Sequence, residues 1–367
     1  MKRLIPILLC VSFLLSGCSG WLDSNYQNVT PHEEDLDYVD TENVSVSNYG
    51  QLYEALCDLV ETGTQSGIIV VAKYKQSNVE KDMAKAVKAV TTKDPVGAYA
   101  VDKIKYELGS SGGQPAVAVT ISYIHGLSDL RKIQRVENMD GARNAIADSL
   151  DACNSGVVLY VANYSALDIE QWVSDYAAEN PDKVMETPAV AVTVYPETGD
   201  SRVVELRFTY QNSRENLRLM QTKVSTLFEA AAIYAGEEGE EAERYYKLYS
   251  FLMGLFQNYQ LDSSLTPTYS LLQHGVGDSK AFATVYAAMC EKVGLECIVV
   301  TGMKAGDPRY WNIVKAEDVY YHVDLLSCDL EDAFTMQTDS QMATGDEMNG
   351  YVWDYQAYPT CGEATED

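Results

Sequence analysis

One short segment of the chain carries residues whose types and order could support nucleophilic catalysis. Ser279 lies in the run GVGDSKAFA (275–283), in which two glycines and an aspartate precede an apolar stripe. Such a start predicts a helix that runs to Cys290, with Ser279 in its first turn. A serine is a useful nucleophile only when a nearby base removes its hydroxyl proton.

Histidine is the usual base, and this chain is poor in it. The four histidines are His32, His125, His274 and His322. His322 lies two residues before Asp324, so the two side chains share a strand face, with their Cα atoms about 6.5–7 Å apart. A Ser279–His322 dyad is one hypothesis, and His274, just before the helix, is another candidate base. The default interpretation of His322 is an ordinary packed or surface histidine.

Cys290 is the second nucleophile candidate in the predicted helix. It lies about three turns beyond Ser279 and continues the apolar stripe of Ala283 and Ala287. We interpret Cys290 as part of the buried core.

Several motifs resemble, in order and spacing, those of the transglutaminase-like domain, a papain-type cysteine fold. They are GVGDSKAFA (275–283), GLECIVVTG (294–302), WNIV (311–314) and VYYHVD (319–324). The tail segments YVWD (351–354) and YPTC (358–361) are also similar to endings in such proteins. The similarity covers roughly residues 245–330. It implies a cysteine at the helix start, a histidine before the Trp-Asn pair and an aspartate ending the last strand.

The resemblance assigns these three catalytic positions to Ser279, Arg309 and Asp324. Two of the three are therefore replaced, and an arginine stays protonated and cannot serve as the base. Arg309 facing Asp324 predicts a salt bridge that closes the old site. The side chains expected in the remaining cleft are His322, Trp311 and Asn312.

Two segments in the first half of the chain match at an offset of 90 residues. Each begins with an amphipathic helix, predicted at 47–61 with Ser47 as its cap and repeated after Asp140. Ser-Gly and an apolar strand follow each helix, and a second helix and two further strands complete each copy. The predicted strands are 66–74, 99–108, 116–123, 155–164, 189–195 and 203–210, and the second helices are 79–90 and 169–178. We interpret residues 45–212 as two αβαββ units, in neither of which a catalytic cluster is visible.

Residues 213–258 are predicted to be helical and to lead into the transglutaminase-like domain at 259–367. The predicted fold class is therefore α+β: a tandem αβαββ repeat module, then helices and a papain-type domain.

The N-terminus is typical of a bacterial lipoprotein precursor. A positive start, a short apolar run (5–15) and LSGC (15–18) resemble the lipobox that precedes a lipidated cysteine. We expect residues 1–17 to be a signal peptide, Cys18 the lipidation site and 18–44 a flexible acidic tether. An ordinary secretory signal is the alternative. The protein would then be anchored to the cell membrane by lipid, on its extracytoplasmic side.

The amino-acid composition argues against several classes of partner and ligand. The 27 Lys and Arg face 54 Asp and Glu, a formal charge of −27, which argues against nucleic acid as a partner. No C-x-x-C pair is present, so we expect no metal site, and nothing indicates a cofactor. Six cysteines besides Cys10 and Cys18 leave their disulfide pairings open.

Three functions follow from these features. The first is a non-catalytic binding or interaction protein with an inactive transglutaminase-like domain, whose partner is cell-wall peptide or another surface protein. The alternative is a serine-variant peptidase, amidase or acyltransferase that uses Ser279. A sugar-binding lipoprotein ranks last because the chain lacks a long alternating βα pattern.

Overall fold

The computed structural model describes residues 44–258, 267–331, 333–343 and 350–362. Cys18, the predicted signal peptide and nearly all of the predicted tether lie outside these residues. Over the described residues the chain mixes helices and strands in three successive parts. No helix in these ranges is long and apolar enough to cross a bilayer.

The first part is a four-stranded sheet covered by helices. Its elements are β1 (Val44–Ser45), α1 (Tyr49–Glu61), β2 (Ser66–Val70), α2 (Val79–Lys93), α3 (Pro95–Ala100), β3 (Val101–Ser111) and β4 (Gln114–Tyr123). The strand order is β1-β2-β4-β3, with β1 parallel to β2 and the other pairs antiparallel. The apolar stripe of α1, including Leu52 and Leu56, is fully buried in the core of this part.

The second part has the same strand order and the same pairing directions. Its elements are α4 (Leu127–Leu130), β5 (Gln134–Asn138), α5 (Met139–Asp151), β6 (Gly156–Asn163), α6 (Ile169–Glu179), β7 (Ala189–Tyr195) and β8 (Arg202–Thr209). The order is β5-β6-β8-β7, with β5 parallel to β6. That the two parts superpose as a repeat stays a prediction.

Several predicted boundaries in these two parts differ from the structure. Asn48, not Ser47, caps α1, and its side chain accepts a hydrogen bond from the Gln51 N–H at 3.1 Å. Asn138, not Asp140, caps α5, because its carboxamide reaches two N–H groups of the first turn. The predicted first strand 66–74 ends at Val70, and the predicted strand at 99 begins only at Val101, after the short helix α3.

The third part packs helices on a second kind of sheet. Its elements are α7 (Arg214–Ala235), α8 (Glu241–Leu255), β9 (Gln257–Asn258), α9 (Pro267–His274), β10 (Val276–Gly277), α10 (Ser279–Lys292), β11 (Cys297–Lys304), β12 (Asp307–Ala316), β13 (Val319–Val323), α11 (Leu325–Glu331), α12 (Asp339–Ala343) and β14 (Tyr351–Trp353). The antiparallel sheet runs β13-β12-β11-β14.

Helices α7 and α8 share one core with α10, which lies against β12. Tyr245 of α8 donates hydrogen bonds to the carbonyls of Glu296 and Lys315, and Tyr286 of α10 donates to the carbonyl of Tyr245. The described residues of the helical segment 213–258 and of the predicted domain 259–367 therefore share one core. The opposite side of the sheet has a smaller core around Trp311.

Candidate functional site

The helix α10 begins where the sequence indicates. Asp278 is its N-cap, and the carboxylate accepts a hydrogen bond from the Ala281 N–H at 2.9 Å. Ser279 is the first residue of the helix and is half-buried. Its hydroxyl oxygen accepts a hydrogen bond from the backbone N–H of Tyr310 at 3.3 Å. Ser279 thus sits where β12 meets the start of α10.

The guanidinium of Arg309, in β12, is paired with the carboxylate of Asp324, which follows β13. Arg309 Nε lies 2.8 Å from Oδ2 of Asp324, and Nη2 lies 2.7 Å from Oδ1. The side chains are 17% and 3% exposed, so the pair is largely shielded from water. Two parallel N–H···O bonds give the pair a fixed geometry. The salt bridge suggested by the sequence is present.

Asp324 also accepts hydrogen bonds from groups other than Arg309. Its carboxylate accepts hydrogen bonds from the N–H groups of Leu326 and Ser327, so it caps α11, and from the Tyr351 hydroxyl at 2.7 Å. Burial by itself would raise the pKa of Asp324, but the hydrogen bonds and charge of Arg309, with those of Tyr351 and Ser327, hold that pKa below its ordinary value. Asp324 is therefore a stable anion.

A small polar network extends from Asp324 to β14. The Tyr351 hydroxyl lies 2.9 Å from the Ser327 hydroxyl, and Lys304 donates to the same serine oxygen. Burial and the Asp324 charge raise the pKa of Tyr351, so its hydroxyl stays protonated. These contacts join residues from β11, α11 and β14. Ser327, Tyr351 and Lys304 were not singled out from the sequence, which has no motif that links them.

His322 is held in a separate buried cluster. Its Nδ1 accepts a hydrogen bond from the Trp311 indole N–H at 2.9 Å, and its Nε2 lies 2.8 Å from Oδ1 of Asp339. Because an indole nitrogen can only donate, the network assigns the ring proton of a neutral His322 to Nε2. Burial lowers the pKa of His322, against the opposing effect of Asp339. Both ring nitrogens are therefore occupied, and neither faces Ser279.

Cys361 also belongs to this cluster, which therefore contains three residue types that can bind a metal ion. The ligand atoms of His322, Asp339 and Cys361 lie within 4.8 Å of one another, a donor set that zinc accepts. A metal on Nε2 would move the ring proton to Nδ1, where it would meet the Trp311 N–H. Burial raises the pKa of the Cys361 thiol to about 12. Hydrogen bonds join both His322 and the Cys361 N–H to the Asp339 carboxylate.

The expectation of an open cleft lined by His322, Trp311 and Asn312 needs correction. All three side chains have no exposed surface. Asn312 points to α10, where its Nδ2 donates to the carbonyl of Ala283 at 2.9 Å, and Trp311 packs on the other side of the sheet. These residues hold the sheet together, because strand alternation sends them into the two cores.

The remaining candidates are quickly placed. Cys290 is fully buried, as predicted, and burial raises the pKa of its thiol. His125 stacks on Tyr99 in the first part of the chain, with ring centroids 4.2 Å apart. The structure does not describe the side chain of His274. The six cysteines in the described residues are free thiols.

Three solved structures are similar to this chain. A TGase is 12% identical, with a TM-score of 0.30, over 68% of this chain and 74% of its own. A proposed cysteine protease from Cytophaga hutchinsonii is 9% identical, with a TM-score of 0.26, over 41% and 65%. A proposed protease from Parabacteroides distasonis is 10% identical, with a TM-score of 0.25, over 71% and 41%. No curated protein matches the chain.

The model of the transglutaminase-like superfamily matches residues 230–327. The match begins within α7 and runs through α10 and the sheet to α11, so it contains Ser279, Arg309 and Asp324. The third part of this chain therefore contains a transglutaminase-like domain.

Proposed function

We propose that the chain is a membrane-anchored extracytoplasmic binding or interaction protein whose transglutaminase-like domain does not catalyse. The observation that carries the proposal is the bidentate pair of Arg309 and Asp324. In the catalytic arrangement of this family an aspartate orients a histidine base. Here Asp324 is bound instead by the guanidinium of Arg309, which has no lone pair available to accept a proton.

The state of Ser279 supports the same conclusion. A serine hydroxyl at a helix start needs a base within about 2.6–3.2 Å, and His322 has both nitrogens engaged by Trp311 and Asp339. The alternative, a serine-variant peptidase, amidase or acyltransferase, therefore lacks a base among the histidines whose side chains the structure describes.

The test is turnover by the natural chain on glutamine-amine and peptide substrates. We expect none above buffer, and Ser279→Cys alone should stay inert because Arg309 still supplies no base. Ser77→Ala, at an exposed serine of the first part, is the matched control for contaminating activity. Robust turnover that Ser279→Ala abolishes and Ser77→Ala leaves intact would overturn the proposal and promote the serine enzyme.

The anchor is tested separately. Cys18→Ser should release the chain from membranes or leave it unprocessed, because acylation requires the thiol. A Cys18→Ser chain that is processed normally and stays membrane-bound contradicts the lipid anchor. With the lipid anchor in place, the proposed partners are cell-wall peptide or another surface protein, which the chain reaches from its tethered position.

A further inference from the structure

A cavity of about 470 Å³ lies between the second and third parts of the chain. Its walls are the flank of α10, the first half of β11 and the C-terminal end of α6. It is distinct from the Arg309–Asp324 pair and from the His322 cluster, and none of those three residues lines it.

One wall of the cavity is a strand edge that has no strand partner among the described residues. The Lys315 N–H donates to the Glu296 carbonyl, and the Thr301 N–H donates away from β12 to the Tyr358 hydroxyl. Backbone groups alternate along an antiparallel pair, so the N–H and C=O of Cys297 and Val299 also point away from β12. On that side β14 pairs only with Gly302–Lys304.

Cys297 and Val299 therefore offer two backbone donors and two acceptors to the cavity that they line. An edge of this kind is a template for pairing with another extended chain. A strand advances about 3.3 Å per residue and occupies roughly 4.8 Å by 10 Å in cross-section, or about 160 Å³ per residue. The cavity therefore accommodates about three residues of an extended peptide.

A hydroxyl with no hydrogen-bond partner among the described residues faces the same space. Thr284 is 6% exposed and lines the cavity together with Lys280, Ala287, Ala288 and Glu291, which occupy one face of α10. The Thr284 hydroxyl has no hydrogen-bond partner among the described residues. In a helix the usual acceptor for a threonine hydroxyl is the backbone carbonyl four residues earlier, here that of Lys280. The Thr284 residue is buried, but its hydroxyl oxygen reaches the solvent of the cavity, where a polar group of a ligand can replace water as its partner.

The charge around the cavity is strongly negative. Asp175 and Glu179 of α6 and Glu291 of α10 line it, Lys280 is the one basic residue in the lining, and the Glu296 carboxylate instead accepts a hydrogen bond from the Tyr320 hydroxyl. Within the described residues none of the carboxylates of Asp175, Glu179 and Glu291 takes part in an ion pair, although that of Asp175 accepts a hydrogen bond from Gln171. A cationic ligand is therefore favoured over a neutral or anionic one.

We propose that this cavity binds a cationic extended peptide, which adds as a strand to the free edge of β11. Backbone hydrogen bonds to Cys297 and Val299 hold it, the Thr284 hydroxyl gains a partner, and Lys or Arg side chains meet the surrounding carboxylates. The inference rests on the proposed binding role and gives it a site and a class of partner.

The chain's own N-terminal residues are a poorer fit. Residues 19–43 carry seven acidic residues and neither Lys nor Arg. An acidic segment would bring like charge to an acidic cavity, so the occupant is a separate, basic chain.

The probe is the pentapeptide acetyl-Lys-Val-Lys-Val-Lys-amide, titrated into the full chain by calorimetry at low and at physiological salt. We expect one site, an affinity that falls with salt, and no binding of the Glu-Val-Glu-Val-Glu analogue. Two further peptides carry N-methyl groups on alternate residues, so that one of them blocks the edge that pairs. At least one of these two should lose binding.

Variants locate the site. Glu179→Gln with Glu291→Gln should weaken binding about tenfold, since two favourable charge contacts are lost. The matched control, Glu80→Gln with Glu107→Gln, removes the same charge from exposed sites in the first part and should change affinity less than about twofold. Thr284→Val should cost about fivefold while the chain stays folded, because valine leaves no orphan hydroxyl.

Three results would overturn the proposal. They are equal binding of the acidic peptide, unchanged binding of both N-methylated peptides, and equal loss in the cavity and control variants. Tighter binding after removal of residues 1–43 would also count against it, because the cavity would then hold the chain's own segment. None of these readouts is a turnover assay, so this inference and the lack of catalysis can fail separately.

Discussion

Replacing Arg309 with methionine leaves the Asp324 carboxylate buried without its cation. Methionine keeps an unbranched, flexible stem of shorter length, so the change removes the charge and the two hydrogen bonds to Asp324 while part of the volume stays filled. Asp324 is 3% exposed and cannot turn to water. Removing one partner of a buried pair typically costs about 3–5 kcal/mol.

The lower end of that range applies here. Asp324 keeps hydrogen bonds from Tyr351 and from the N–H groups of Leu326 and Ser327, and these partly replace the cation. We therefore expect Arg309→Met to lower the free energy of unfolding at pH 7 by about 3 kcal/mol. Asp324→Asn should cost about 2 kcal/mol, since Arg309 is 17% exposed and can reach water. The double variant should cost less than the sum, because no buried charge is left alone.

The sign of the pH dependence gives a second check. In the natural chain the folded pKa of Asp324 is lowered, so its stabilisation is complete above the unfolded value of about 3.9 and is lost as pH falls through the folded pKa. Without Arg309 the buried carboxyl should have a raised pKa, and protonation relieves it. The difference between Arg309→Met and the natural chain should therefore shrink between pH 7 and pH 4.

Urea unfolding followed by tryptophan fluorescence measures these effects, since Trp311 and Trp353 pack beside the site. The control is Arg143→Met, which breaks an exposed pair with Asp140 and should change stability by less than about 0.5 kcal/mol. An Arg309→Met chain as stable as Arg143→Met at pH 7 would refute the reasoning.

Three further predictions concern the cluster around Trp311 and His322. The folded pKa of His322 is lowered, so the natural chain should lose stability as pH falls below the unfolded value of about 6.5. His322→Gln should lack this part of the pH dependence, and a profile identical to the natural one would contradict it. The thiol pKa of Cys361 is raised to about 12, so at pH 8 Cys361 should react with iodoacetamide about 10³-fold more slowly in the folded chain than in urea. Peptide mass spectrometry measures the rate of this modification. Gly302→Ala should destabilise the fold by about 1–3 kcal/mol, because a Cβ at this position collides with the Trp311 indole. Gly109→Ala is the control and should not destabilise it, because a Cβ there meets open space. Similar urea midpoints for the two variants would argue against this packing.

Local patterns in the sequence were sufficient to predict many elements. The apolar stripe with Leu52 and Leu56 predicted α1, and the alternation in residues 203–210 predicted β8 to within one residue at each end. The run 275–283 was predicted to open a helix that continues to Cys290, and α10 begins within that run, at Ser279. Such signals act over one or two turns or a few strand positions, so a single chain segment contains them completely.

The edge strands β1 and β5 were missed for the same reason. β5 reads Gln-Arg-Val-Glu-Asn, with no apolar alternation, and it is a strand because β6 offers it a parallel edge. Its identity is decided by a neighbour along the sheet and not by its own residues.

At the candidate site, the sequence alone determined which chemical groups are available: a serine at the helix start, an arginine two residues before Trp311, and an aspartate ending the strand. Tertiary structure decided what each group does. His322 could have faced Ser279 or packed inside, and only the fold brings Asp339, 17 residues away, to its Nε2 and Trp311 to its Nδ1. Asp324 likewise gains its Tyr351 partner only when β14 joins the sheet, because hydrogen bonds form between atoms adjacent in space, whatever their separation along the chain.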